Sequence, residues 1–184
     1  MNFAEIKAKL PSDKTPEEKA ARSKLFKQFD PNGNGYLSLS EVDKGIRDVL
    51  GLEELFEAKP AIIRAFNAAK SAGKSKSKLG DDFVERSEFR LILLYLRQYF
   101  ELFEMFETVD TSNDRKISRE EFDSGLDKLK NWGLTVSDPE ASFNQIDTNQ
   151  GGSILFAEFA DWALKSKIDF EDLDEDPLRE RSWE

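Results

Sequence analysis

The sequence contains no cysteine and no histidine among its 184 residues. Without thiols there is no disulfide framework and no thiolate nucleophile. Without imidazole the commonest general base and the usual zinc ligands are also gone. A reducing compartment is permitted, and most enzyme classes lose their usual parts, so no catalytic activity is expected. Only 2 methionines are present, too few for a methionine-rich surface that repacks against many partners. No apolar run reaches membrane-spanning length, and the first residues, MNFAEIKAKL, lack the apolar stretch of a signal peptide. A cytoplasmic location is the expectation. What the chain does have is 37 acidic against 27 basic side chains, a formal charge of −10, and 15 phenylalanines within a 39% hydrophobic composition. That surplus of negative charge argues against a nucleic-acid partner and suits a protein that holds divalent cations. The length and apolar content allow one large or two small packed domains.

The most informative stretch is DPNGNGYLSLSE, from Asp30 to Glu41. Side-chain oxygens stand at its first, third and fifth places (Asp30, Asn32, Asn34), and Gly35 is sixth. The Tyr36 carbonyl is seventh, Ser38 ninth and Glu41 twelfth. This is the pattern of an EF-hand calcium loop. Calcium takes about six to eight oxygens at roughly 2.3–2.6 Å, and donors on alternate residues let one sharp turn wrap the ion. Gly35 permits the positive φ of that turn. Glu41, one turn into the next helix, closes the shell with both carboxylate oxygens and so ties ion occupancy to that helix. Leu37, in the eighth place, is expected to enter a core and pair by a short strand with its counterpart in a partner loop. The plain alternative is an Asx-rich surface turn, since Asp, Asn and Gly favour turns in any case.

Before this loop, Phe3, Ile6 and Leu10 have helical spacing and form an arm that can dock on the body. Thr15, Pro16 and Glu18 read as a capping box opening a helix that runs to about Phe29. After the loop, Val42, Ile46, Val49 and Leu50 predict an exit helix ended by Gly51. Leu52, Leu55 and Phe56 precede a further helix from Pro60 whose apolar side is Ile62, Ile63 and Phe66. Residues 70–82 stand where a second loop belongs, but Lys70, Lys74, Lys76 and Lys78 replace oxygen donors with positive charge. Val84, Glu88 and Phe89 keep the spacing of the loop's end. A degenerate hand is expected there, retained because Val84 pairs with Leu37. Its basic tip is either a solvated loop or a weak contact for anionic lipid or an acidic partner.

From Glu88 to Val109 there is no Gly or Pro, and the apolar residues fall on more than one side, which predicts a long helix joining two halves. The third loop, Asp110 to Glu121, offers Asp110, Ser112, Asp114, the Lys116 carbonyl, Ser118 and Glu121, with Ile117 eighth. Its fault is Arg115 at the glycine place. A non-glycine residue at positive φ costs about 1 kcal/mol, roughly fivefold in affinity. Phe122, Leu126 and Leu129 mark its exit helix, ending near Trp132 and Gly133, and Ser137 or Asp138 caps a helix from Pro139. In the fourth loop, Asp147 to Glu158, the donors are Asp147, Asn149, the Ser153 carbonyl and Glu158. Gly151 and Leu155 give no side-chain oxygen, so calcium and a purely structural loop, with Ile154 paired to Ile117, remain alternatives. Phe156, Phe159, Trp162 and Leu164 belong to the last exit helix. The segment from Ile168 to Glu184 is mostly acidic and reads as a solvated tail, or one that folds back through Phe170, Leu173 and Trp183.

Units recurring at intervals of roughly 35–45 residues point to an all-α protein of four EF-hand units in two pairs. The expected divisions are 1–98, 99–167 and the tail 168–184. Three stretches carry a closer resemblance: KTPEEKAARSKLFKQFD, DDFVERSEFRLILLYLRQYFELFEMFETVD and EEFDSGLDKLKNWGLTVSDPEASFNQIDTN. In these the chain resembles the calflagins, the flagellar calcium-binding proteins of parasitic flagellates. The resemblance implies four hands, some degenerate, a calcium-sensing role and a flagellar setting. Calflagins are anchored by N-terminal myristoyl and palmitoyl groups. Here Met1-Asn2 is not a Met-Gly start and there is no cysteine, so neither lipid is expected on the sequence as it stands. The leading expectation is a sensor with two calcium sites and a possible third at 147–158, acting on a protein target. A calcium buffer, or a cytoskeletal adaptor with structural hands, is the alternative.

Overall fold

The structure is a computed structural model and describes residues 3–72 and 82–166. Lys74, Lys76 and Lys78 of the second loop, the acidic C-terminal segment and the side chain of Phe3 lie outside the described residues. The chain is mostly helical, as expected, and divides into two compact units, the first ending at Phe100 and the second beginning at Glu101. Among the described residues no helix is long and apolar enough to cross a membrane.

In the first unit, α1 (Phe3–Lys9) is followed by α2 (Pro16–Phe29). Ile6 and Leu10 are buried, so the arm is docked. Thr15 Oγ1 accepts the Glu18 N–H at 3.3 Å, and Pro16 occupies the position where its missing N–H does no harm. The reciprocal half of the expected box is not made. The Glu18 carboxylate reaches past Thr15 and accepts the Asp13 N–H at 2.6 Å. Arg22 explains this, because it donates to the carbonyls of Pro11 and Asp13 and draws that turn under the start of α2.

Strand β1 (Tyr36–Ser38) pairs antiparallel with β2 (Phe83–Glu85), setting Leu37 opposite Val84 with neither side chain exposed. Two apolar residues held back to back by a short ladder join the hands through their loops. The exit helix departs from expectation. α3 (Leu39–Lys44) passes into a π-helical turn over Gly45–Val49, in which the Leu50 N–H reaches the Gly45 carbonyl at 3.0 Å. A π turn takes an extra residue and rotates the residues beyond it, so Ile46 stays buried while Val49 is 36% exposed. Gly51, at φ +61°, ends the segment.

Next come α4 (Glu53–Glu57) and α5 (Lys59–Ala72). The buried stripe here is Ala61, Ile62, Ala65, Phe66 and Ala69, at three- and four-residue spacing, while Ile63 is 46% exposed. Alanines allow close backbone approach, and Ile63 lies a third of a turn off their face, so its expected place in the core is corrected. The long helix α6 (Phe89–Val109) forms over the expected span. Its start packs Phe89 edge-on to Phe26 and Phe29, with ring centres 5.2 and 5.6 Å apart. Arg97, buried with it, donates to Ser12 Oγ at 2.9 Å.

The second unit takes the end of α6 and continues through β3 (Lys116–Ile117), α7 (Arg119–Ser124), α8 (Leu126–Asn131), α9 (Pro139–Ile146), β4 (Ile154–Leu155) and α10 (Phe156–Lys165). Ile117 pairs with Ile154, both fully buried. Around them Phe106, Phe122, Phe143, Phe156, Phe159 and Trp162 meet edge to face or tilted at 5.7–6.4 Å. The single exit helix expected after the third loop breaks at Gly125, where a Cβ would stand 2.8 Å from Val109 Cγ1. Asp138 caps α9 by accepting the Ala141 N–H at 3.0 Å.

A Cβ on buried Gly45 would lie 2.6 Å from ring atoms of Phe29. Overpacking at such a contact outweighs the helix propensity gained by alanine. Gly45→Ala is expected to destabilise the protein by about 1–2 kcal/mol in urea denaturation, and Ile63→Ala by less than about 0.5 kcal/mol. Equal effects would contradict the packing described.

Candidate metal centres

Each loop begins with a carboxylate at the end of a helix. Asp30, Asp110 and Asp147 are 9%, 1% and 7% exposed. Buried carboxylates need partners, and here the turn supplies them in the same way three times. Asp30 accepts the N–H groups of Asn34 and Gly35 at 3.1 and 2.9 Å. Asp110 accepts those of Asp114 and Arg115 at 3.3 and 2.8 Å. Asp147 accepts those of Gly151 and Gly152 at 2.9 and 2.8 Å. The sharp bend that makes this possible requires positive φ at the sixth place: Gly35 has +86°, Gly152 +79°, and Arg115 is held at +67°. The fourth place bends likewise at Gly33, Asn113 and Gln150.

The twelfth residue ties the loop to the helix that leaves it. Glu41 Oε2 accepts from Ser38 N–H at 2.9 Å and Ser38 Oγ at 2.8 Å, while its Oε1 takes the Asn32 carboxamide at 2.6 Å. Glu121 makes the same two bonds with Ser118, at 2.9 and 2.8 Å, and its Oε1 takes Ser112 N–H at 2.8 Å. Glu158 accepts Leu155 N–H at 2.9 Å and both the N–H and the carboxamide of Asn149, at 3.1 and 2.8 Å. In each loop one carboxylate therefore spans from the third place to the first turn of the exit helix. Asn34 and Asp114 turn their oxygens to the N–H of Tyr36 and Lys116, both at 3.0 Å, which fixes the seventh-place residues whose carbonyls are the expected donors. Ser153, with the seventh-place carbonyl of the fourth loop, precedes β4 directly.

Two further contacts involve residues outside the donor pattern. Thr111 and Thr148, in the second place, donate to Glu121 Oε1 and Glu158 Oε1 at 3.2 and 2.9 Å. A threonine at the same place in both loops was the available signal. At the end of the second loop, Glu88 is buried and its Oε2 accepts the Glu85 N–H at 2.9 Å. The closing glutamate thus keeps its structural bond there.

The donor sets suit a hard dication. The first loop offers two carboxylates, two carboxamides, a hydroxyl and a carbonyl, all of them oxygen-bearing. The third offers three carboxylates, Asp110, Asp114 and Glu121, with two serine hydroxyls. The fourth has two carboxylates and Asn149, while Leu155 is apolar and 39% exposed. Among the described residues no three Asp, Glu, His or Cys side chains gather into a metal cluster. Asp110, Asp114 and Glu121 of the third loop are therefore not gathered into such a cluster. At Glu121, burial raises the carboxyl pKa, but the hydrogen bonds from Ser118 and Ser112 outweigh it and hold the value at about 2.

Residues 6–96 match the FCaBP EF-hand domain and residues 99–164 the EF-hand domain pair. Flagellar calcium-binding protein TB-24 of Trypanosoma brucei brucei is 42% identical over 165 residues, covering 89% of this chain and 76% of that protein. The flagellar calcium-binding protein of Trypanosoma cruzi is 42% identical over 166 residues, 89% and 79% of the two. A solved homolog of programmed cell death 6 protein from Leishmania major Friedlin aligns with a TM-score of 0.43 and 18% identity, over 85% of this chain and 77% of that one.

Arg115→Gly relieves backbone strain of about 1 kcal/mol at the sixth place and is expected to tighten calcium at the third loop by up to about fivefold in competitive chelator titration. A weaker site would contradict this. Because the Glu121 pKa in the folded protein is lowered from 4.5 to about 2, its stabilising contribution is complete above about pH 4.5 and lost as pH falls through about 2. A carbon-13 titration of this carboxyl in chelator-treated protein checks it, and a midpoint near the ordinary value would refute it.

Proposed function

The chain belongs to the EF-hand family of flagellar calcium-binding proteins, and from that premise we propose that it is a calcium sensor working on a protein target in the flagellum. Calcium binding itself follows from the family. The sensing role, the number of ions, the partner and the location are the proposal. Asp30, Asn32, Asn34, Ser38 and Glu41, with the Tyr36 carbonyl, would hold one ion. Asp110, Ser112, Asp114, Ser118 and Glu121, with the Lys116 carbonyl, would hold a second. The fourth loop, with fewer oxygen donors, would hold a third more weakly.

One observation carries the sensing role: the twelfth-place glutamate bonds the third residue of its loop with one oxygen and caps the exit helix with the other. Drawing that carboxylate toward an ion acts on the helix directly, as in EF-hand sensors. In the first hand the helix so pulled runs into the π turn at Gly45–Val49, a kind of turn frequent at functional sites. The ion supplies charge and coordination, and the chain supplies the lever. The flagellar setting is supported by the names of the relatives. A catalytic role has no support from the side chains present.

Calorimetric titration of the whole protein is expected to count about two to three calcium ions, with Glu41→Gln and Glu121→Gln each removing one. An apolar dye is expected to gain fluorescence on calcium addition. Unchanged stoichiometry in both variants would overturn the site assignment, and intact binding without any dye response would favour a buffer.

A further inference from the structure

A cavity of about 460 Å³ opens in the first unit where α2 meets the start of α6, and none of its lining residues is a metal-loop donor. Lys19, Arg22, Arg86 and Arg90 line it, with Phe26 and Phe89, 3% and 2% exposed, behind them. In a protein of net charge −10, four cations around one concavity form a local reversal of sign. Their anionic neighbours are few. Arg22 has Glu18 at 4.0 Å and otherwise bonds backbone carbonyls of Pro11 and Asp13. Arg90 spends its Nε on the Ser12 carbonyl at 2.7 Å. Arg86 lies over the Phe26 ring at 5.5 Å. Among the described residues neither Lys19 nor Arg86 has a carboxylate partner. Burial and then the Arg90 guanidinium lower the Arg22 pKa, against the raising effect of Glu18 and Asp13.

We infer that this cavity receives an acidic segment of a partner protein, its carboxylates met by the cations that line it. Arginine forks suit carboxylates, and a concavity lined by four cations favours a ligand that brings several of them. A bilayer fits less well. Arg22 and Arg90 are drawn inward onto backbone carbonyls rather than projecting, and a flat surface cannot enter a cavity. This inference concerns a surface apart from the calcium loops and does not depend on the sensor reading.

The test is fluorescence anisotropy of the full chain, in chelator, against a fluorescein-labelled decapeptide of glutamates with a central phenylalanine. The wild type is expected to bind, Arg86→Glu and Lys19→Glu to weaken binding at least tenfold, and Lys130→Glu, with the same charge change in the second unit, to alter it less than twofold. Circular dichroism confirms that each variant is folded. Absence of binding by wild type, or equal weakening by Lys130→Glu, would overturn the proposal. So would Arg86-dependent binding to phosphatidylserine vesicles without peptide binding, or Arg86-dependent dimerisation in light scattering.

Discussion

A glutamate carboxylate accepting the backbone N–H three residues before it is the contact from which this molecule is built. It recurs at 2.9 Å in every hand, at Ser38, Glu85, Ser118 and Leu155. A charge-assisted bond at a helix start does two things at once. It satisfies a donor that the helix leaves orphaned, and it puts a negative charge where the helix dipole favours one. Glu88 keeps the bond although lysines stand in the sequence of its loop where oxygen donors belong, so the cap organises the fold whether or not an ion is held.

The rest of each unit serves to hold that carboxylate in register. The short ladders fix Leu37 on Val84 and Ile117 on Ile154, so each loop is braced by its partner. Behind them the aromatic side chains of α2, α6 and α10 form edge-to-face clusters that give the helices defined seats. Each fully buried leucine or phenylalanine contributes about 1.5–3 kcal/mol, enough in aggregate to hold loops crowded with like charge. Strain then collects where the loops bend, most clearly at Arg115, which is held at φ +67°.

Much of this was legible because EF-hand loops tie chemistry to position. Ligand spacing, the eighth-place core residue and the closing glutamate are all countable along the chain, and the structure brings the side chains of Asp30, Asn32, Asn34 and Glu41 around one turn. The π turn was not legible, since a period of 3.6 residues per turn points Val49 inward and only the extra residue of the turn carries it out. Ile63 lies outside because the close face of α5 admits small side chains, and Ala61, Ala65 and Ala69 occupy it. Arg22, Arg90 and Arg97 gave no sign that they hold the turn at residues 11–13, because charged residues on helices are read as solvated until their partners are known. Thr111 and Thr148 hid for a simpler reason: the loop pattern assigns the second place no role.

Diffraction from a crystal grown in calcium tests the central claim most directly. Anomalous density is predicted inside the loops at Asp30–Glu41 and Asp110–Glu121, with Glu41 and Glu121 both turned onto the ion and their exit helices shifted relative to chelator-treated crystals. Two empty loops in an intact fold would contradict the account.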